Sequence, residues 1–391
     1  MDREQELAVI RRAYAKQIMA EFGVTDPRVE AAFAAVRREQ FLGPGPWPIL
    51  RWMRGYVTTP NADPIYLYTN HVIGILPERN LNNGEPSLHA HLIASANVQT
   101  GEHVVHIGAG VGYYTAILAE LVGHSGSVTA IELDPGLAER AKANFSHNPN
   151  VKVVQGDGTL VSFDPGDVIY VNAGATRPVD AWLDRLKEGG RLILPLTTNK
   201  GFTNNDPPLP IERRGAVFQI ERRSEEFFAR RISAVAIFPC DGARDAAAEA
   251  ALADAFRKGG WERVTRLYRH NNIPEEYCWL RAQEWCLTYD SPDFPAPIPS
   301  PGRTNYPARP CRHAARKNAT VRATCGPISA RSALRSSPNR ARNSIGSTIS
   351  STKWRAVPAR RSVVNPGSWS ASGSSPSSLA TASLMRSRAI R

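Results

Sequence analysis

Apolar residues recur every three or four positions at the start of the chain. Leu7, Ile10, Tyr14, Ile18 and Phe22 share one face of a helix predicted over residues 3 to 22. Asp26 and Pro27 then supply an N-cap and a first-turn proline for a second helix with Val29, Phe33 and Val36 on its apolar face, ended by "GPGPWP". Residues 56 to 88 are mixed and polar and carry little period. From His103 the pattern becomes regular. "HVVHI" is a short apolar strand, residues 113 to 122 a helix, "SVTAIE" a strand, and "DPGLAERAKANF" a helix opened by another Asp-Pro cap. "VKVV" and "DVIYVNA" are strands, "PVDAWLDRLKEGG" is a helix with a glycine stop, and "RLILPL" is a strand.

Strands that alternate with helices build a parallel sheet covered on both faces. "AVFQIER" and "EEFFARRISAVAIF" follow one another with no helix between them and predict an antiparallel pair at one edge. The fold class is therefore α/β: a Rossmann-like, doubly wound, mostly parallel sheet with an antiparallel edge. Residues 1–100 form a helical cap and a substrate segment, and 101–240 form the core. Residues 241–290 are a small extension with an Ala-rich helix over 244 to 258 and short strands in "WERVTRLYR" and "YCWLRAQEWCLTYD".

After Asp290 the composition changes. Residues 291–391 are rich in Ser, Arg, Pro and Ala, have no period, and read as a disordered basic tail. Out-of-frame translation of a GC-rich gene would give the same mix. The formal charge of the chain is +12, yet 17 of its 48 Lys and Arg and one of its 36 acids fall in this tail. The first 290 residues hold 31 basic and 35 acidic residues, a net of −4. Charge thus gives the body no reason to bind nucleic acid, and only weak binding by the tail stays open. The charged N-terminus lacks the apolar core of a secretory signal, and five cysteines without a CxxC pair suggest reduced thiols, so a cytoplasmic protein is expected. No membrane span or metal-ligand spacing is legible, and His89 with His91 is at most an isolated pair.

The chemistry starts at "VVHIGAGVGYYTAILAELVG", residues 104 to 123. Its glycines, Gly108, Gly110 and Gly112, lie between a strand and a helix. The dinucleotide fingerprint G-x-G-x-x-G fails in both registers, because Tyr113 or Thr115 stands where the third glycine belongs. What remains is G-x-G-x-G, a bend that brings backbone N–H groups close to a ligand at the positive end of a helix. Glu132 ends the next strand, where a carboxylate accepts from both hydroxyls of a ribose; alone it reads equally as an exposed acid near a cap. Asp157, in "GDG", falls where a third strand ends and can accept from an adenine amine; alone it reads as a turn. Three such elements at the carboxyl ends of successive parallel strands mark a ligand site.

"HIGAGVGYYTAILAELVG", "VTAIELDP", "VVQGDGT" and "VNAGATRPVDAWLDRLKEGGRLILPL" together resemble the class I S-adenosylmethionine-dependent methyltransferases, and among them the protein-L-isoaspartate O-methyltransferases. "VTDPRVEAAFAAVRREQFLGP" is similar to the helix before the core in that family, and the likeness spans roughly residues 5 to 240. It implies S-adenosylmethionine as cofactor, with Gly108, Gly110 and Gly112 shaping the methionine-side loop and Glu132 holding the ribose. Asp157 and Gly158 would flank the adenine, and Asn172 would lie near the reacting centre. The chain departs from the pattern twice. His106 stands where the family has an acid two residues before the first glycine. "NNGEPSLHA", aligned on Pro86, puts Gly84 and Glu85 where the family has a serine and a glutamine.

The resemblance implies methylation of L-isoaspartyl carboxylates in damaged protein. Asn82, Gly84 and Ser87 are the candidate acceptor contacts, helped by backbone N–H groups around Asn83, Gly84 and Glu85 and by the amides of Asn82 and Asn83, although "NNG" is also a plain turn. His89 or His91 would serve as a base only for a neutral nucleophile. The expected partner is a protein or peptide bearing a carboxylate, and the oligomeric state stays open. Three alternatives remain: a related enzyme acting on an ordinary aspartate or a dedicated peptide, a module that binds the cofactor without turnover, and a nicotinamide-dependent oxidoreductase disfavoured by Tyr113.

Overall fold

The computed structural model describes residues 2–289 apart from 52–53, 201–208, 238 and 241, so the predicted tail lies outside the described residues. The chain opens with α1 (Arg3–Glu21), α2 (Pro27–Ala35) and the single turn α3 (Glu39–Leu42). Two hairpins follow, β1 (Pro48–Arg51) with β2 (Gly55–Thr58), and β3 (Gly74–Leu76) with β4 (Leu81–Asn82). Next come α4 (Pro86–Ala96), β5 (His103–Ile107), α5 (Tyr113–Val122), β6 (Ser127–Glu132), α6 (Pro135–Asn144), β7 (Val151–Gln155), β8 (Gly166–Val171), α7 (Asp180–Asp184) and β9 (Leu186–Thr197). The last elements are β10 (Gly215–Arg223), β11 (Glu226–Ala234), α8 (Ala246–Lys258), β12 (Val264–Tyr268), β13 (Cys278–Arg281) and β14 (Cys286–Tyr289).

One ten-stranded sheet organises the molecule, in the order β13-β14-β12-β11-β10-β9-β8-β5-β6-β7. The five strands from β7 to β9 run parallel, and every pairing from β9 outward through β10 is antiparallel. Strand period sorts the core into two layers. Val104, Val168 and Tyr170 pack under α1, α2, α4 and α5, while Val105, Ile169 and Val171 pack with Trp182, Leu252, Phe256 and Trp279 on the other face. The chain reverses direction across the sheet between β5 and β8, which opens a crevice at their carboxyl ends.

Three stretches depart from the sequence expectation. The glycine-stopped helix over 178 to 190 is only the five residues of α7, and β9 has already begun at Leu186. Gly166 pairs with Leu186 but Val168 pairs with Arg191, so residues 187–190 bulge from the strand, and Gly189 has φ +69° there. The glycines serve a bulge and not a helix stop. The second helix ends at Ala35, before the Gly-Pro run, and α3 intervenes. The aperiodic region 56 to 88 holds β3 and β4, strands too short to leave a period.

That region is ordered from outside. The Arg38 guanidinium is fully buried over the Tyr14 and Tyr113 rings and donates to the carbonyls of Leu67, Thr69 and His71. A charge this deep is tolerated because both terminal nitrogens have carbonyl acceptors, although Nε has none among the described residues.

Candidate active site

At the crevice a single cavity of about 1230 Å³ runs from Glu132 and Asp157 to the segment Asn82–Glu85. Its cofactor-side wall is the turn after β5. The N–H groups of Gly108 and Ala109 donate back to the Ile131 carbonyl at 2.9 and 3.1 Å, which folds the loop over the end of β6. Gly108, Gly110 and Gly112 all have positive φ, and a Cβ on Gly112 would overlap the Phe145 ring. Glu132 closes β6 with its carboxylate buried, accepting from Gly110 N at 2.7 Å and Asp134 N at 2.9 Å. Burial raises its pKa, and those two donors oppose the shift.

Each remaining cofactor-side candidate lines the same cavity. Asp157 Oδ1 accepts from both N and Oγ1 of Thr159 at 2.8 Å, so it closes a turn as well as facing the cavity. Gly158 is packed against Ile107, and its carbonyl accepts from Trp182 Nε1 at 2.8 Å. Asn172 directly follows β8, with its N–H on the Ile107 carbonyl at 2.8 Å and its Nδ2 donating to the Gly108 carbonyl at 3.4 Å. Sequence reasoning missed the loop that leads from the core into the extension. Pro239 and Cys240 line the cavity, Cys240 N donates to the Gly174 carbonyl at 2.9 Å, and a side chain on Gly242 would overlap the Asp157 carboxylate. No local motif announces such a contact.

The acceptor side needs two corrections. Ser87, expected to touch substrate, is fully buried and outside the cavity lining; its N–H and Oγ are held by the Asn70 amide, both at 2.9 Å. The backbone N–H groups expected to hold a carboxylate are partly spoken for. Asn83 N donates to the Ile73 carbonyl at 3.0 Å, and Gly84 N donates to Asn82 Oδ1 at 2.9 Å. "NNG" is therefore a true turn, and Asn82 shapes it while also lining the cavity. Asn83 Oδ1 accepts from Ile73 N at 2.8 Å, and Glu85 is drawn towards Asn70 Nδ2 at 3.1 Å.

The histidines divide. His91 stacks on Phe22, centroids 4.8 Å apart, and is itself outside the cavity lining, although Phe22 is part of it. His89 lines the cavity, stacks on Tyr114 and bonds Tyr170 Oη through Nδ1 at 2.7 Å. His106, where the resemblance expects an acid, is fully buried with Nδ1 2.8 Å from Thr115 Oγ1 and Nε2 unpartnered. Burial takes both His89 and His106 down to a pKa of about 3, so both are neutral at pH 7. Among the described residues no three His, Cys, Asp or Glu side chains converge as a metal site, and no helix is long and apolar enough to cross a membrane.

A ligand with paired hydroxyls for Glu132 and a flat base beside Gly158 suits this sheet end, and the sheet is that of the class I S-adenosylmethionine-dependent methyltransferases. Residues 12–206 match the family model described as Protein-L-isoaspartate(D-aspartate) O-methyltransferase. The protein-L-isoaspartate O-methyltransferase of Methanococcus aeolicus is 32% identical over 171 residues, 42% of this chain and 73% of that protein. Its namesake from Ignicoccus hospitalis is 33% identical over 159 residues, 39% and 69% of the two chains. The one from Thermotoga maritima is 31% identical over 185 residues, 46% of this chain and 53% of its own. A solved protein-L-isoaspartate O-methyltransferase structure aligns with TM-score 0.48 and 22% identity over 72% of this chain and 88% of its own. The chain belongs to the protein-L-isoaspartate O-methyltransferase family.

Proposed function

We propose that this chain transfers a methyl group from S-adenosylmethionine to the free carboxylate of L-isoaspartyl residues in damaged protein. The observation that carries the reading is one cavity joining the Gly108–Glu132–Asp157 wall to the acceptor segment around Gly84. When bound, S-adenosylmethionine supplies a sulfonium methyl whose bond to sulfur breaks as the bond to oxygen forms, the electron pair staying on sulfur. Glu132 would hold the ribose hydroxyls with the lone pairs its two N–H donors leave open. Asp157 and Gly158 would flank the base, and Asn172 would stand near the reacting atoms.

The acceptor side needs no general base, because a carboxylate is ionised at neutral pH and is its own nucleophile. The protein's task is to hold that oxygen in line and keep water out. Alignment of this kind supplies on the order of 7–11 kcal/mol in favourable cases. Apolar side chains lining the cavity, Leu88 and Ile75 among them, would strengthen the attraction between carboxylate and sulfonium.

The test is radiolabelled methyl transfer to a matched pair of peptides, one isoaspartyl and one aspartyl. Label on the isoaspartyl peptide alone is the expected result. Label on the aspartyl peptide alone would move the acceptor to an ordinary aspartate, a change that Gly84 at the acceptor wall makes worth measuring.

A further inference from the structure

Gly84 carries no side chain, and the space a side chain would fill is taken. A Cβ built on Gly84 would overlap His89 Nε2, and both residues line the acceptor end of the cavity. We propose that His89 contacts the acceptor, donating a hydrogen bond from Nε2 to its carboxylate at the place where a residue-84 side chain would otherwise project. This rests on the carboxyl-methyltransferase reading above.

Three observations support it. The ring is fixed on two sides, by the Tyr114 stack at 3.8 Å between centroids and by Tyr170 Oη at 2.7 Å. The proton is placed by the same bond. Tyr170 is wholly buried, and among the described residues His89 Nδ1 is the partner its hydroxyl has; the hydroxyl donates its proton there, which leaves the imidazole hydrogen on Nε2. The polarity also matches: a neutral imidazole with a fixed Nε2–H is a donor and not a base, which suits a nucleophile that arrives already ionised. Gly84, with φ +71°, keeps the approach to Nε2 clear of a side chain of its own.

Two amide variants of the full-length chain, each matching one ring nitrogen, separate this role from a structural one. His89→Gln keeps an N–H near the Nε2 position and gives up the Tyr170 bond. His89→Asn keeps a partner for Tyr170 and gives up the donor to the cavity. The expected result for His89→Asn is a rise in acceptor KM of roughly ten- to a hundredfold, the effect of losing a hydrogen bond to a charged group. His89→Gln should stay near wild type, and calorimetric affinity for S-adenosylhomocysteine should be unchanged in both. The reverse order, with Asn active and Gln impaired, overturns the proposal and leaves His89 as a support for Tyr170. If wild type labels no isoaspartyl peptide, the acceptor reading fails separately, and imidazole ¹⁵N spectra decide the role of His89. An Nε2–H signal that shifts on adding succinate, used as a carboxylate probe, supports the proposal; an Nδ1–H tautomer, or no shift, overturns it.

Discussion

Glu132 shows how one residue carries two duties. Its oxygens take the N–H groups of Gly110 and Asp134, so the acid that would meet the ribose also fixes the loop beneath it. We expect Glu132→Ala to weaken S-adenosylhomocysteine binding by roughly ten- to a hundredfold, measured by calorimetry, through loss of charge-assisted hydrogen bonds. Glu132→Gln should fall between, because its amide nitrogen faces a donor. Gly112→Ala tests the loop itself. With φ +96° and Phe145 against the site of a Cβ, the substitution should destabilise the fold by about 1–3 kcal/mol in urea denaturation, by overpacking and strain. An unchanged midpoint would mean the loop yields freely. The glycines and acids at these strand ends are legible in sequence because local geometry demands them. His89, Tyr114 and Tyr170 are not, since their meeting depends on α4 and α5 docking on β8.

Elements were legible where a period persisted over several residues and illegible where tertiary pairing decided. The βα units from β5 to β7 follow their apolar pattern closely, and both Asp-Pro pairs cap helices through the aspartate side chain. The segment after Pro178 went astray because "RLKEGG" has helix-forming residues and a glycine, while pairing with β8 turns it into a bulged strand. Asp134 ties two elements together. It caps α6 through Leu137 N at 2.9 Å and pairs with Arg79, between β3 and β4, at 2.6 Å. Asp134→Ala should cost about 1 kcal/mol of stability from the lost cap. Arg79→Ala should cost less, because the arginine is largely exposed. Equal effects in chemical denaturation would count against the cap as the main contribution.

At the scale of the whole molecule, the last fifty described residues are continuous with the core and not appended to it. β12 pairs with β11, and Trp279 packs against Phe218 of β10 and Phe256 of α8. A chain ending at Cys240 would bare that apolar face, and we expect it to aggregate, whereas one ending at Asp290 should keep a cooperative melt. The pH response also belongs to the molecule, because His89 of α4 and His106 of β5 are both buried where the helical layer meets the sheet, each in contact with Tyr170. Both stay neutral in the fold down to about pH 3, while in the unfolded chain each takes a proton near pH 6.5. Between those values the unfolded state binds more protons, so stability falls as pH falls, by up to about 1.4 kcal/mol per pH unit for each histidine. Asp26 and Asp134, held below the usual range by their hydrogen-bond and arginine partners, add to that loss only near pH 4 and below. Urea midpoints should therefore drop between pH 7 and pH 5. His106→Asn keeps an amide within reach of Thr115 and should remove about one proton's share of the slope. If its slope matched wild type, His106 would have to be taking up its proton inside the folded protein.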